Sequence, residues 1–382
     1  MSNKNENAVC PAKKTSIGGQ ALLEGIMMRG PQKSAMAVRR PDGEMVVEVS
    51  DLKSANRKGF LKLPIVRGVV GFVDSMVVGY SAMMRSAELA GLDEAIEEEE
   101  KEKAAKKAAK EAEKRAKKLG ITVEELAERE AAEKEPEPEI SEEVTETVAE
   151  EAAPAAEKKD NSAMMTGVMA VALVLGLGLA LLLFKVLPES IYELLTWAFP
   201  SLEGEGYWFN LIRAAITGVV KIAIMVAYMA AVALMKDIRR TFMYHGAEHK
   251  TIFCYEQGLE LTVENVRRQS RFHPRCGTSF LILMLLVSIV VNMFIPATIV
   301  DHKILNIVAR TGIGLLTLPF IMGIGYELIR FAGRHDNLFT KIISAPGVWL
   351  QHITTKEPDD SMIECAIAAV KEVIPDDGSD NW

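Results

Sequence analysis

The sequence predicts an α-helical polytopic membrane protein, with about four transmembrane helices and a small N-terminal α+β unit in the cytoplasm. Four stretches are apolar over about the 20 residues that a helix needs to cross the hydrocarbon core. Basic residues concentrate in alternate connections between these stretches. A segment near the N-terminus has β-rich runs around a turn signal. The chain divides accordingly into an N-terminal unit, a charged insert, a membrane domain and a cytoplasmic tail, at residues 1–92, 93–162, 163–335 and 336–382.

The N-terminal unit contains a predicted hairpin and an ambiguous apolar run. Residues 34–49 form two β-rich runs around a Pro-Asp-Gly turn at 41–43, which predicts a β-hairpin. Residues 64–84 are apolar except for interruptions such as Arg67 and Asp74, and basic residues flank both ends. Because a crossing here would invert the topology downstream, we expect an amphipathic or re-entrant helix at the cytoplasmic leaflet.

The charged insert differs from the rest of the chain in composition. It has no aromatic residue, and between Asp93 and Asp160 it holds 24 acidic and 13 basic residues, a local net charge of -11. Residues 97–118 favour a single charged helix through Glu/Lys pairs, whereas the Pro- and Glu-rich part beyond residue 133 favours disorder. We expect a solvated tether, with a docking arm for a partner as the alternative.

Loop charges predict the orientation of the membrane domain. The predicted spans are 164–186, 209–235, 279–299 and 304–331. Residues 188–210 contain no Lys or Arg, whereas residues 236–276 contain eight. The positive-inside rule therefore places both termini and the loop 236–278 in the cytoplasm. Lys221 lies well inside the second span without an evident counter-ion.

A histidine pair directly after the second span is the main chemical signal. His245 and His249 are four residues apart, so on a helix that continues the second span both face the same side. Glu248 lies beside them in the order H-x-x-E-H, the inverse of a zinc-protease motif. Two imidazoles can share one ion, and the carboxylate can act as a general base. The alternative is a pair of interfacial histidines that hydrogen-bond near lipid headgroups.

A second cluster closes the same loop. His273 and Cys276 are ligands that zinc accepts, although Cys276 could also be a small buried residue where the loop meets a helix. Glu327, near the cytoplasmic end of the fourth span, is another candidate ligand. Its alternative is an ion pair with Arg330 or another basic residue nearby. We therefore predict a divalent metal ion bound by the histidine pair and at least one of these three residues. Zinc is the favoured ion.

Four runs carry a resemblance to a known family. They are IGGQALLEGIMMRGP at 17–31, YHGAEHKTIFCYE at 244–256, HPRCGTSF at 273–280 and APGVWLQHITTKEPDD at 345–360. In this order they resemble the YqhQ-like bacterial membrane family, a family of unknown function whose members are predicted metal-dependent enzymes. The resemblance implies a bacterial inner-membrane location and a metal site. It also draws attention to Glu24, which could complete the metal shell, and to Arg29, which could bind an anionic group; an internal ion pair is the alternative.

The sequence leaves three functions open. The first is a metal-dependent hydrolase at the cytoplasmic membrane face, with a peptide bond as the favoured substrate, Glu248 as the base, and Arg275 or Lys250 stabilising negative charge. The second is a non-enzymatic assembly or insertion factor with a structural metal, which would bind other membrane proteins. The third is a transporter. The lipid bilayer is the expected partner in each case, and no nucleic acid is expected.

Overall fold

The computed structural model describes residues 14–52, 59–92, 171, 173–202, 204, 206–296, 298–335 and 337–381, with scattered positions between 106 and 122. The N-terminal region folds as an antiparallel sheet of four strands in the order β1-β2-β3-β4. The predicted hairpin at 34–49 is confirmed as β3–β4, with Ala37 opposite Val47. The strands are β1 Gly18–Leu22, β2 Gly25–Arg29, β3 Lys33–Arg39 and β4 Met45–Asp51.

Helix α1, Val66–Leu89, covers one face of the sheet and corresponds to the ambiguous apolar run. Its Val78 and Ala82 pack against a cluster that includes Met36 and Val38 of β3. The helix leaves large apolar side chains exposed, as expected of an amphipathic helix at a membrane surface. These exposed residues are Val73, Met76, Val77, Tyr80 and Met84.

Three helices are long and apolar enough to cross a membrane: α2 Leu173–Ala198, α3 Tyr207–Val232 and α7 Lys303–Arg334, the last over Leu305–Arg334. They match three of the four predicted spans. The first differs from the prediction because its helix continues through residues 187–198, which were expected to form a loop; residues 164–170 lie outside the described residues.

The fourth predicted span, 279–299, is a shorter apolar helix, α6, Gly277–Met293. Its 17 residues are about the minimum for a crossing. The helix ends before Pro296, whose ring disfavours a helical conformation in the preceding residue. The described residues thus contain three full-length candidate spans and one at the lower limit.

Helix α4, Lys236–Glu256, does not continue α3, contrary to the prediction. The backbone of Met235 is extended, with φ -69° and ψ 133°, and separates the two helices. Helix α4 can therefore turn away from the apolar bundle and pack against the sheet. The remaining helices are α5 Val263–Arg267, α8 Leu338–Thr354 and α9 Asp360–Val373.

The second face of the sheet shares one hydrophobic core with α4 and α9. Side chains from all three parts meet in it, among them Met28 of β2, Tyr244 of α4 and Ala366 of α9, each fully buried. The sheet is therefore a middle layer between α1 and the α4–α9 pair. Residues from both ends of the chain meet near this core, where the Thr15 hydroxyl donates to Asp380 Oδ2 at 2.7 Å.

The chain forms two compact units, one made of residues 1–91 and 178–382 and the other of residues 92–177. The described positions between 106 and 119 are helical, in agreement with the predicted charged helix at 97–118. The remainder of that helix and the predicted disorder beyond residue 133 lie outside the described residues.

Candidate metal centre

Helix α4 buries the predicted histidine pair. Because α4 packs against both the sheet and α9, its middle turns are enclosed, and His245, Glu248 and His249 are all buried. The two imidazoles lie one turn apart on the same face, with ring centroids 4.4 Å apart. The predicted placement of both histidines on one helix face is confirmed.

Cys276 joins the pair to form a compact group of potential ligands. It is the residue before α6, and its Sγ lies 3.1 Å from His245 Nε2. One ligand atom from each of His245, His249 and Cys276 lies within 4.8 Å of the other two. Ligands that bind one zinc ion at about 2.0–2.3 Å lie within such a distance of one another. This buried cluster could therefore hold a metal ion.

Two backbone carbonyls fix the tautomers of the histidines. His245 Nδ1 lies 2.8 Å from the Thr354 carbonyl oxygen, and His249 Nδ1 lies 2.5 Å from that of Arg271. Because a carbonyl oxygen can only accept, both Nδ1 atoms carry a proton, and each Nε2 atom is left to bind an ion once it is deprotonated. Zinc-binding histidines are oriented by such contacts in proteins. His249 Nε2 is buried and has no hydrogen-bond partner among the described residues.

Glu248 lies beside the cluster but outside the group of three. Its Oε1 accepts the backbone N–H of Gly19 at 2.9 Å, which ties β1 to α4. Its Oε2 is buried and has no hydrogen-bond partner among the described residues. Burial raises the pKa of Glu248 above its usual range. A carboxyl with one fixed oxygen, one available oxygen and a raised pKa is suited to accept a proton.

The cysteine and the histidine beside it are electrostatically coupled. Burial opposes the protonation of His245, but the neighbouring Cys276 outweighs it and raises the histidine pKa to about 9. Burial likewise opposes ionisation of the thiol, but His245 and His249 outweigh it and lower the pKa of Cys276 well below its usual value. Cys276 is therefore available as a thiolate, the form in which cysteine binds metals.

His273 and Arg275 belong to a separate buried network. The ring of His273 lies 5.7 Å from that of His249, but its Nε2 lies 3.4 Å from Glu256 Oε2. Arg275 donates to the other oxygen of Glu256, which also accepts the backbone N–H of Thr15 at 3.0 Å. The structure thus places His273 outside the group of three ligand atoms. The charge of Arg275 is likewise paired with Glu256 rather than directed at the cluster.

Glu327 forms an ion pair and is not among the three grouped ligand residues. Its two carboxylate oxygens accept hydrogen bonds from Nε and Nη2 of Arg67, at 2.6 and 2.5 Å. The pair joins α1 to α7. The alternative given in the sequence analysis, an ion pair with a basic residue, describes this arrangement. The partner is close in space but lies 260 residues away in the chain.

The other predicted polar residues also have partners. Glu24 accepts Arg240 Nη2 at 2.6 Å, so it forms the internal ion pair rather than a part of the ligand group. Arg29 donates to Ser75 Oγ at 3.1 Å. Lys250 is buried, with Nζ 2.7 Å from Glu357 Oε2. The structure therefore gives structural partners to the residues predicted to bind or stabilise anions.

Three residues that support the site were not predicted from the sequence. Gly246 lets another segment approach α4, since an added Cβ would lie 2.0 Å from the Lys356 carbonyl oxygen. Gln351 is fully buried and bonds both backbone groups of His273 at 2.7 Å. Thr354 provides the carbonyl that fixes His245. Only Gly246 carried a signal, as a glycine inside a helix.

Comparisons with known proteins agree with the motifs. Residues 63–376 match the family described as "Protein of unknown function (DUF1385)". A relative from Bacillus subtilis (strain 168), named "Uncharacterized protein YqhQ", is 29% identical over 365 residues, which cover 94% of this chain and 92% of the relative. No solved structure matches significantly. The resemblance drawn from the four runs is thereby confirmed at the level of the family.

Proposed function

Because the chain belongs to the family of unknown function DUF1385, we propose its function from the site itself: a zinc-dependent hydrolase at the cytoplasmic face of the bacterial inner membrane. One observation carries the proposal. Two buried histidines and one cysteine present their ligand atoms within 4.8 Å of one another. Backbone carbonyls hold the histidine Nδ1 atoms and so leave the Nε2 atoms for an ion.

In this proposal His245, His249 and Cys276 hold the ion, and Glu248 acts as the base. A zinc ion bound there would polarise an oxygen of the substrate and would make water easier to deprotonate. Glu248 Oε2 accepts the proton, while the Gly19 N–H keeps the other oxygen in place. Three protein ligands leave a fourth position open, as in catalytic zinc sites.

The order H-x-x-E-H is the argument for a peptide bond as substrate, since it is found in inverted-motif zinc peptidases. Those enzymes take a distant glutamate as third ligand, a role predicted for Glu327. In this chain Glu327 pairs with Arg67, and Cys276 joins the histidines instead. The peptide substrate therefore depends on the order of the motif alone.

A second candidate function is a membrane-protein assembly factor with a structural metal. Burial favours it, because the Glu248 side chain is bonded to β1 and all three potential ligands are enclosed. Two open cavities, of about 490 and 540 Å³, have linings that include no member of the ligand cluster. In this case Glu248 Oε2 serves as the fourth ligand and closes the site.

Metal content of the purified full-length protein tests both functions. We expect about one zinc ion per chain, lost in His245→Ala and in Cys276→Ser. His352→Ala is the matched control, because His352 is an exposed histidine of α8 and should not affect the metal. A wild-type protein without metal would contradict both proposals.

Glu248→Gln separates the two functions. If it retains zinc, Glu248 is outside the ligand shell and available as the base, and the variant should lose hydrolysis of model peptides. If it loses zinc as His245→Ala does, Glu248 is a ligand, and the closed structural site is correct.

A further inference from the structure

A cluster of charged side chains lies within the candidate membrane helices, away from the metal centre. Lys185 and Glu189 come from α2, Arg213 and Lys221 from α3, and Arg310 from α7. Ionisable residues in transmembrane segments are costly and mark functional sites. This cluster includes Lys221, for which the sequence offered no counter-ion.

A single carboxylate is shared by the cations of the cluster. Arg213 donates to Glu189 Oε2 through Nη2 at 2.6 Å and through Nε at 3.1 Å. Arg310 Nη1 lies 3.7 Å from the other oxygen of Glu189. Lys185 and Lys221 lie within electrostatic range of both Glu189 and Arg310. Among the described residues, the cluster thus holds four basic groups and one acidic group.

The excess of positive charge is not satisfied by the protein contacts described. Arg310 is largely buried, with 14% of its side chain exposed, and its Nε has no hydrogen-bond partner among the described residues. Several cations that share a single anion are unfavourable in a low-dielectric environment. The helix itself is irregular here, because Lys185 lies in the π-helical turn Leu182–Val186, a feature frequent at functional sites.

The two arginines of the cluster lie towards the helix ends opposite to the metal centre. Arg213 is about 9 Å from the start of α3, whereas α4 with its histidines follows the other end of α3. In the orientation that the loop charges predict, Arg213 lies in the outer half of the membrane, whereas Lys185 and Lys221 lie near the middle of α2 and α3. Basic residues are ordinarily depleted there, so the bias towards positive cytoplasmic loops does not account for them.

We propose that this cluster binds the phosphate group of an anionic lipid within the helix bundle. Phosphate supplies negative charge and several acceptor oxygens, and arginine matches its geometry with paired donors. The position inside the candidate membrane helices favours a phosphate that reaches the site from the bilayer. Basic pockets between transmembrane helices bind lipid headgroups elsewhere. This inference does not depend on the metal centre or on hydrolysis.

Native mass spectrometry of the full-length protein, with phosphatidylglycerol or phosphatidylcholine added to the detergent, tests the proposal. We expect one phosphatidylglycerol to be retained per chain and no phosphatidylcholine. Arg310→Gln and Lys221→Met should each weaken retention about tenfold, since each removes a charge-assisted contact. Arg239→Gln, an exposed cation at the start of α4, is the matched control and should leave retention unchanged.

Glu189→Gln should increase lipid retention, a result that loss of folding cannot produce. It removes the competing carboxylate, so phosphate binding should become several-fold tighter. Displacement of the lipid by millimolar inorganic phosphate would support the phosphate site and identify free phosphate as a competing source. Retention of both lipids alike, or unchanged retention in Arg310→Gln, Lys221→Met and Glu189→Gln, would overturn the proposal.

Discussion

At Gly246, helix α4 comes closer to a neighbouring backbone than a side chain would allow. The segment after α8 is held there by the Lys356 N–H, which donates to the Phe242 carbonyl at 2.8 Å. We predict that Gly246→Ala destabilises the protein by about 1–3 kcal/mol and weakens metal binding. An added Cβ would lie 2.0 Å from the Lys356 carbonyl oxygen, so α4 or the segment must shift. Thermal unfolding and zinc content measure both effects.

Gly312→Ala is the control for this prediction. Gly312 is also a helical glycine, but an added Cβ there meets no atom within 4 Å. It should leave stability and zinc content unchanged. Equal effects of both substitutions would show that helix flexibility, and not the close approach at Gly246, determines the result.

Glu256 is a buried carboxylate that holds a positive charge. We predict that Glu256→Gln lowers the free energy of unfolding at pH 7 by about 3 kcal/mol, because it leaves Arg275 buried without its anion. Burial alone would raise the pKa of Glu256, but the bond to His273 and the charge of Arg275 outweigh it and lower that pKa. The wild-type advantage is therefore present above the usual carboxyl pKa of about 4.3 and declines as the pH falls through the lower folded value.

Denaturant unfolding in detergent at several pH values checks this prediction. Glu264→Gln is the matched control, since Glu264 and its partner Arg268 are both 71% exposed. Such a pair contributes about 0–1 kcal/mol. A loss for Glu256→Gln that does not shrink in acid would contradict the assignment of its stabilising effect to the ionised carboxylate.

Sequence reasoning found the site where the signal was local. The spacing of His245, Glu248 and His249 within one helix determines that they share a region, whatever the rest of the fold does. Cys276 was also proposed, because it ends the same loop. The partner of Glu327 could not be predicted, because it depends on how α1 packs on α7 and no local pattern encodes Arg67.

Among the elements, α1 and α7 are joined by close packing and by one ion pair. Gly68 of α1 approaches α7 so closely that an added Cβ would lie 2.8 Å from Tyr326 Cβ. We predict that Glu327→Gln keeps its zinc but increases hydrogen exchange in α1 about tenfold, because the charge-assisted contact with Arg67 is lost. Hydrogen-exchange mass spectrometry of α1, with zinc content in parallel, measures this.

Arg334→Gln provides the comparison for α7. It removes an exposed charge from the same end of the helix and should leave the exchange of α1 unchanged. Loss of zinc in Glu327→Gln would instead restore the original prediction that this residue is a metal ligand.

The strands show the limit of prediction at the scale of elements. The β3–β4 hairpin was evident because its turn signal and both of its runs are adjacent in sequence. The docking of α9 on the sheet was not evident from the sequence, because the two elements are far apart in the chain: β3 ends at Arg39 and α9 begins at Asp360. Contacts of that range leave a pattern of apolar residues on each element but do not specify which elements meet.

Across the whole molecule, the shared core constrains the topology. The sheet, α4 and α9 pack together, so they lie on one side of a membrane. An even number of crossings must therefore separate α4 from α9. If α7 crosses, α6 must cross as well despite its 17 residues. The same reasoning allows α2 and α3 as a crossing pair, and in that case α1 does not cross.

Cysteine labelling in intact cells tests this arrangement. Cys254, Cys276 and Cys365 are buried, so a Cys10→Ser background should show little labelling. We predict that Ser201→Cys and Thr298→Cys react with an impermeant maleimide from outside, because they follow α2 and α6. Ser270→Cys, in the loop after α5, should react only after lysis. Protection of position 298 while position 201 reacts would show that α6 does not cross.

Because the sheet packs against α9, the sheet can complete its core only late in synthesis of the chain. The face of the sheet that carries Met28 is not fully covered until the ribosome has made residues 360–373, about 320 residues after β3. At about 5–20 residues per second, this delay is on the order of 15 seconds to one minute. Thr354, whose carbonyl orients His245, is also made late. His245 can therefore take the orientation described here only after most of the chain has been made.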